Sequence, residues 1–524
     1  MTPTGTGTLL RTFLRRDRWL IFWFALGITV LYWSQAVSID GLYATQAEFD
    51  KAAASMADNA AFIAMSGPAR ALNTTGGQVA WQSSAFGAIV VGLMAMFIIG
   101  RHTRAEEESG REELFRAGVV GRVAPMTAAL LTAVVASAVV GAGVSGSLLA
   151  YGLPSAGSWA LGVGVFLCGA AFAGVALLAA QFTTSTRATY GLTGAILGVS
   201  YGLRAIGDVS GGALSWLSPI GWYQAMHAYS GERWWPMVLL VGATAAAAAT
   251  AYVVFERRDF GAGVWASRPG PDRASASLQS GLGLAWRLQR PGIIGWSVGL
   301  FVGGVAYGSI GDDIETIMGD SEFSREMFTA GPEPVDGFYA VAILMLALIA
   351  SGFTVSSALR PRGEEQAGRV EAVLATALPR RHWFLGHLAV TVAGTLLVLL
   401  VAGLGTGVGY LLVTGDGNAI SRFTGATFAQ LPGVIALGAL ACLLVGFFPR
   451  WASLAWLGVG FCVVVLMFGE VLNFPQPVVD ASPFDHLASL PADSMAWGPF
   501  VAVLAVAVAM ASAGIFGFTR RDVH

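Results

Sequence analysis

Apolar residues fall in long unbroken blocks along this chain. Runs of about 20 such residues, each enough to cross a ~30 Å hydrocarbon layer as a helix, recur from one end to the other. The pattern predicts spans at about 19–38, 79–100, 124–152, 157–181, 188–207 and 236–255, and a second set at about 291–310, 337–359, 383–413, 427–448, 451–472 and 497–517. Barrel strands are shorter and alternate in polarity, so helices are the structure that can satisfy the backbone here. The fold class predicted is an all-α polytopic membrane protein with 12 transmembrane helices.

The polar intervals are as informative as the spans. Before the first span, Leu9, Leu10, Phe13 and Leu14 lie beside Arg11, Arg15, Arg16 and Arg18, which at helical spacing gives an amphipathic helix over 8–18 lying in the membrane interface. A polar segment follows the first span, helical from Glu48 to Met65. A Gly-, Ser-, Pro- and Arg-rich linker at 257–289 separates a first repeat, 19–256, from a second, 290–524.

The halves carry the same landmarks in the same order. Glu106-Glu107-Glu108-Ser109-Gly110-Arg111-Glu112-Glu113 follows the second span, and Glu364-Glu365-Gln366-Ala367-Gly368-Arg369-Val370-Glu371 follows the eighth, an offset of 258 residues from 106 to 364. Both read E-E-x-x-G-R-x-E. Arg-bearing segments precede the first span of each half, Ser218-Pro219 matches Ser482-Pro483, and each half ends in F-x-R-R-D, at Phe255–Asp259 and Phe518–Asp522. Two parallel six-helix repeats related by a pseudo-two-fold axis along the membrane normal account for this order.

Composition agrees with lipid as the solvent: 55% of the 524 residues are hydrophobic and 12% charged, about half the charged fraction of a soluble domain. With twelve spans and the N-terminus inside, all of the 30 Lys and Arg except Lys51, Arg70, Arg204, Arg233, Arg325 and Arg422 fall on the cytoplasmic side. Both termini are therefore expected in the cytoplasm. Cys168, Cys442 and Cys462 all lie within apolar runs, as small helix residues do.

Several chemistries are excluded by what is missing. A P-loop needs a Lys after its glycines, and the one Lys of this chain is Lys51, in Glu48-Phe49-Asp50-Lys51-Ala52. ATP and Mg²⁺ would then be bound by a partner chain, with no cofactor on this one. The six histidines have no metal-ligand spacing, and no nucleic-acid partner is expected.

Two groups of polar residues stand out. The duplicated clusters are candidate docking elements for a soluble partner: Glu106, Glu107, Gly110, Arg111 and Glu113 with Leu114 and Phe115, and Glu364, Glu365, Gly368, Arg369 and Glu371 beside Val373 and Leu374. A lone charged loop between spans is ordinarily just solvated; repetition in register is what argues for docking. Within the spans, Arg204 and Asp208 are spaced to pair along one helix, and Glu470 lies near the end of the matching span of the other half. An unpaired charge in hydrocarbon costs roughly 2.5–3.5 kcal/mol, so Arg204, Asp208 and Glu470 are expected at the interface between halves, with Arg204 a partner for Glu470.

These motifs, with Arg204-Ala205-Ile206-Gly207-Asp208 leading to Ser218-Pro219-Ile220-Gly221-Trp222 and Leu472-Asn473-Phe474-Pro475-Gln476 leading to Ser482-Pro483-Phe484, resemble the twelve-span permeases of actinobacterial ABC exporters of polyketide antibiotics, such as the tetronasin type. The resemblance covers nearly the whole chain. It implies an ABC-2-like exporter of the type V class in the bacterial cytoplasmic membrane, with an elbow helix at 8–18 and coupling segments at 106–115 and 364–374. Two copies of a separate ATPase would bind one such chain, and the cargo would be an amphipathic drug, an antibiotic or a lipid-like molecule. The second cluster departs from the first at Gln366 and Val370, so the two docking faces need not be equal. The competing class is a proton-coupled secondary transporter, which also fits twelve spans in two repeats but usually places carboxylates in mid-membrane. A membrane-embedded lipid enzyme has only Asp312-Asp313-Ile314-Glu315 in its favour.

Overall fold

In the computed structural model, residues 4–43, 45–57, 60–110, 120–259, 261–265, 272–273, 275–311, 334–468 and 474–522 are described. Among them every regular element is a helix. The chain forms two compact units, Met1–Gly270 and Pro271–His524.

The first unit contains α1 (Thr6–Asp40), α2 (Gln46–Ala57), α3 (Ala60–Ser66), α4 (Thr75–His102), α5 (Arg104–Glu108), α6 (Ala124–Tyr151), α7 (Ser155–Phe182), α8 (Thr186–Val209), α9 (Pro219–Gln224) and α10 (Pro236–Arg257). The most deeply buried long helices are α4 and α7, whose Val91, Met94, Ile98, Cys168 and Phe172 form the middle of the core. Helix α6 lies against α7 at a glycine contact: a Cβ on Gly141 would come within 2.4 Å of the Gly162 carbonyl. Lipid offers helices no hydrophobic reason to associate, so such close backbone approaches carry the packing.

The second unit contains α11 (Gly281–Gly308), α12 (Pro334–Ala358), α13 (Arg360–Gln366), α14 (Arg369–Leu374), α15 (Arg380–Thr414), α16 (Ala419–Ala429), α17 (Leu431–Phe447), α18 (Ala455–Phe468), α19 (Gln476–Val479) and α20 (Trp497–Arg520). Gly304 and Gly308 of α11 face Gly405 and Gly409 of α15, each one turn apart. A Cβ on Gly308 would stand 2.0 Å from the Thr406 carbonyl, so the two backbones touch. The expected span at 427–448 begins as α16 and restarts as α17 at Leu431-Pro432, where proline sits in a first helical turn.

Among the described residues, eleven helices are long and apolar enough to cross a membrane by length and composition, against the twelve spans predicted. The remaining one is α8, a continuous helix of 24 residues that carries Arg187, Arg204 and Asp208. The interfacial helix expected at 8–18 is the beginning of α1. That helix runs 35 residues without interruption, because no glycine or proline falls between Thr8 and Leu26 to break it. At about 1.5 Å per residue it is some 52 Å long, well beyond a ~30 Å hydrocarbon core.

Candidate functional site: the two glutamate clusters

Each cluster caps the end of a long helix with a bend. After α4 the chain turns at Thr103, runs through the short α5 and stops at Gly110, whose φ of 70° is left-handed. After α12 it runs through α13 and stops at Gly368, with φ of 67°. These two glycines are the G of E-E-x-x-G-R-x-E. The helix-terminating left-handed position is one that a side chain would strain, which is why glycine stands at both.

Consecutive residues on a helix point about 100° apart, so three successive glutamates face three different neighbours. Glu106 pairs with Arg16 on α1. Glu107 lies between Arg104 Nη1 at 2.6 Å and Arg258 Nη2 at 2.6 Å, the latter just past the end of α10. Glu108 accepts from the backbone N–H (3.2 Å) and hydroxyl (2.5 Å) of Thr186, at the first turn of α8, where the helix dipole favours a negative charge. Arg104 and Arg258 are themselves buried: Arg104 donates to the Ala180 and Ala262 carbonyls, and Arg258 to Gln181 Oε1 at 2.8 Å and the Ala262 carbonyl at 2.7 Å. Beside this cluster, buried Asp17 of α1 meets His102 Nε2 at 2.5 Å and Arg101 Nη1 at 2.8 Å, and Phe13 stacks on the His102 ring. Three carboxylates thus pin α1, the start of α8 and the end of α10 to α5.

The second cluster repeats the central part of this arrangement. Glu365 lies between Arg362 Nη1 at 3.0 Å and the guanidinium of Arg521, which donates from both terminal nitrogens at 2.5 and 2.8 Å. Arg104 and Arg362 each precede their glutamate by three residues, and Arg258 and Arg521 are each the second Arg of F-x-R-R-D. Each of the latter also sits over the Phe of that motif, Arg258 at 5.1 Å from the Phe255 ring centre and Arg521 at 5.0 Å from Phe518. Glu364 differs from Glu106: it binds Arg360 at 3.0 Å and Arg369 at 2.6 Å, both within α13 and α14. Gln366, at the place of Glu108, is exposed.

These positions change the picture drawn from the sequence. The glutamates are candidate docking residues by their sequence pattern; in the structure Glu106, Glu364 and Glu365 are buried, and with Glu107 they bind arginines of their own unit. The reason is chemical: carboxylates next to a membrane-embedded core are costly unless paired. What lies open is Glu108 and Ser109 in the first cluster, and Gln366, Ala367, Gly368, Arg369, Glu371, Ala372 and Ala375 in the second. Arg111, Glu113, Leu114 and Phe115 lie outside the described residues. The sequence missed Arg16, Asp17, His102, Arg258 and Arg521 as members of the clusters. The one signal pointing to the last two was that F-x-R-R-D and E-E-x-x-G-R-x-E recur together.

Arg204 and Asp208 form a separate site within the first unit. Arg204 is fully buried, donates to the Met65 carbonyl at 2.9 Å, lies 4.5 Å from the centre of the Tyr201 ring and approaches Asp208 to 3.5 Å. Asp208 also accepts from Ser215 Oγ at 2.6 Å. Arg204 anchors α8 to α3, where Met65 lies. Glu470, its expected partner from the other half, lies outside the described residues, as do Asp312, Asp313 and Glu315.

Near this pair, His227 adopts a left-handed φ of 53° and its pKa is lowered to about 4 by burial, then by the charges of Arg70 and Arg233. The folded chain therefore keeps His227 neutral where an unfolded chain, with an ordinary His pKa of about 6.5, takes up a proton. More protons bound when unfolded means that stability falls as pH falls from about 6.5 towards 4. His227→Asn, whose side chain tolerates the left-handed backbone, is expected to flatten the dependence of the melting midpoint on pH in that window.

Among the described residues no group of three or more His, Cys, Asp or Glu is placed to hold a metal. Residues 278–519 match the family model described as the multidrug efflux system permease Rv1217c, C-terminal domain. Over 528 aligned residues, covering 99% of this chain and 96% of the relative, the chain is 38% identical to the multidrug efflux system permease protein Rv1217c of Mycobacterium tuberculosis (strain ATCC 25618 / H37Rv).

Proposed function

Because the chain belongs to the family of multidrug efflux permeases that includes Rv1217c, we propose that it is the membrane subunit of a drug exporter driven by a separate ATPase of the ABC type. The observation that carries this reading is the pair of matching carboxylate clamps, Arg104–Glu107–Arg258 and Arg362–Glu365–Arg521. A chain without a P-loop needs force delivered from outside. Each clamp joins a short helix at the end of one span to the last span of its unit, which is the connection such force requires.

On this reading the 106–115 and 364–374 segments are the coupling elements, and their exposed sides receive two ATPase copies. The buried glutamates transmit the movement into the helices, and ATP and Mg²⁺ stay on the partner. The twelve-span count, with α8 as a span, and two six-helix repeats with pseudo-two-fold symmetry belong to the same proposal, as do the cytoplasmic termini and the bacterial cytoplasmic membrane. The equivalent clamps and the matched left-handed glycines support the repeat. The cargo is an amphipathic drug, and the motif resemblance favours polyketide antibiotics of the tetronasin type.

Reconstitution separates this from ion-driven transport. Vesicles holding the chain with its co-purifying ATPase are expected to accumulate drug when ATP is supplied, and to stop when vanadate is added. Accumulation by the pure chain on a proton gradient alone would overturn the proposal.

A further inference from the structure

At the opposite end of α4 from the glutamates, the first unit has a solvent-open recess of about 40 Å³. Its wall includes Arg70, Trp81, Ser84, Tyr223, Gln224 and His227. Arg70 is half-buried and forms no hydrogen bond or ion pair among the described residues. The carboxylate whose charge it feels, Asp208, is already bound to Ser215 and Arg204. Burial draws the Arg70 pKa down, Asp208 partly restores it and Arg233 lowers it again, so the recess has a cation in need of an anion. Neutral His227 adds no counter-charge.

The same wall holds an acceptor in need of a donor. The Gln224 amide donates to the Ser66 carbonyl at 2.6 Å and to Ser84 Oγ at 2.9 Å, which fixes its orientation, and its Oε1 is buried with no partner. A buried acceptor left unpaired costs about 1–3 kcal/mol, and a matching donor removes that cost. A simple carboxylate would answer Arg70 but offer Gln224 nothing. A choline group would be repelled by the arginines and has no N–H or O–H to give.

We propose that this recess binds a polyol phosphate, its phosphate on Arg70 in the positive field of Arg233 and a hydroxyl donating to Gln224 Oε1. That chemistry occurs both in soluble glycerol phosphate and in the headgroup of phosphatidylglycerol, and position in a membrane protein allows either. Guanidinium suits the task because its planar fork of donors matches phosphate oxygens.

The test follows the melting midpoint of the full chain in neutral detergent, titrated separately with glycerol phosphate, phosphatidylglycerol and phosphatidylcholine. A saturable rise is expected with phosphatidylglycerol, with glycerol phosphate or with both, and none with phosphatidylcholine. A rise with the lipid only identifies a headgroup site, and a rise with glycerol phosphate only identifies a soluble ligand. Arg70→Gln is expected to raise the half-saturating concentration at least tenfold, on the scale of about 1.4 kcal/mol per tenfold. Arg233→Gln, at an exposed position that leaves folding alone, is expected to raise it severalfold and keeps the test valid if the first variant does not fold. No saturable rise, an equal rise with phosphatidylcholine, or curves unmoved by both substitutions would overturn the proposal.

Discussion

Replacing Glu107 by Gln is expected to destabilise the first unit by about 3 kcal/mol, near the lower end of what breaking a buried ion pair costs. The substitution keeps size and shape but removes the charge between Arg104 and Arg258, whose side chains are 1% and 5% exposed. Two guanidiniums would then share a buried space without a counter-ion. Glu365→Gln is expected to cost less, about 2 kcal/mol, because Arg362 and Arg521 are 20% and 16% exposed and water can partly replace the carboxylate. Melting of the purified variants in detergent checks the order. A cycle adding Arg258→Met to Glu107→Met isolates that pair: the double variant should recover part of the loss, the remainder staying with Arg104, which is left buried without its counter-ion. Equal melting of wild type and Glu107→Gln would mean that the clamp is not formed.

The second large effect falls on the exposed side of α14. Glu371 and Ala375 are one turn apart and both open, so Glu371→Arg with Ala375→Arg places two cations on the surface proposed to receive the ATPase. Loss of the proposed ATPase partner from the purified chain and loss of drug efflux are expected, with folding stability within about 0.5 kcal/mol of the wild type, as for most surface changes. The contrast with Glu107→Gln is the useful part. One substitution should damage the fold, and the other should damage only the partnership. Retention of the ATPase by the double variant would move the docking surface elsewhere.

How much of this could be read from the sequence depends on the length scale. Long apolar runs such as 157–181 and 497–517 are strong signals, because no other environment tolerates them, and they appear as α7 and α20. Helix α8 is weaker on that criterion because Arg187, Arg204 and Asp208 dilute it, although burial and pairing accommodate the last two. The two repeated motifs were visible, including the glycines that turn out to be left-handed. Their meeting was not, because Glu107 and Arg258 are 151 residues apart and face each other only after the bend at Thr103. The direction of a charged side chain near a membrane surface is decided by which partner lies within reach. A single sequence gives the charges and leaves the partner open, so the arginines that hold Glu106, Glu107, Glu364 and Glu365 were not legible in it.

The two clusters also differ in how many helices they hold. In the first, Glu106, Glu107 and Glu108 fasten α1, α10 and α8, whereas in the second only Glu365 reaches beyond its own short helices, to the end of α20. The second cluster makes up the difference with apolar contact, Val370 of α14 being buried against Trp383 and Phe384 of α15 and Phe518 of α20. One end is thus laced by charge and the other seated in grease, so added salt would loosen the first more than the second.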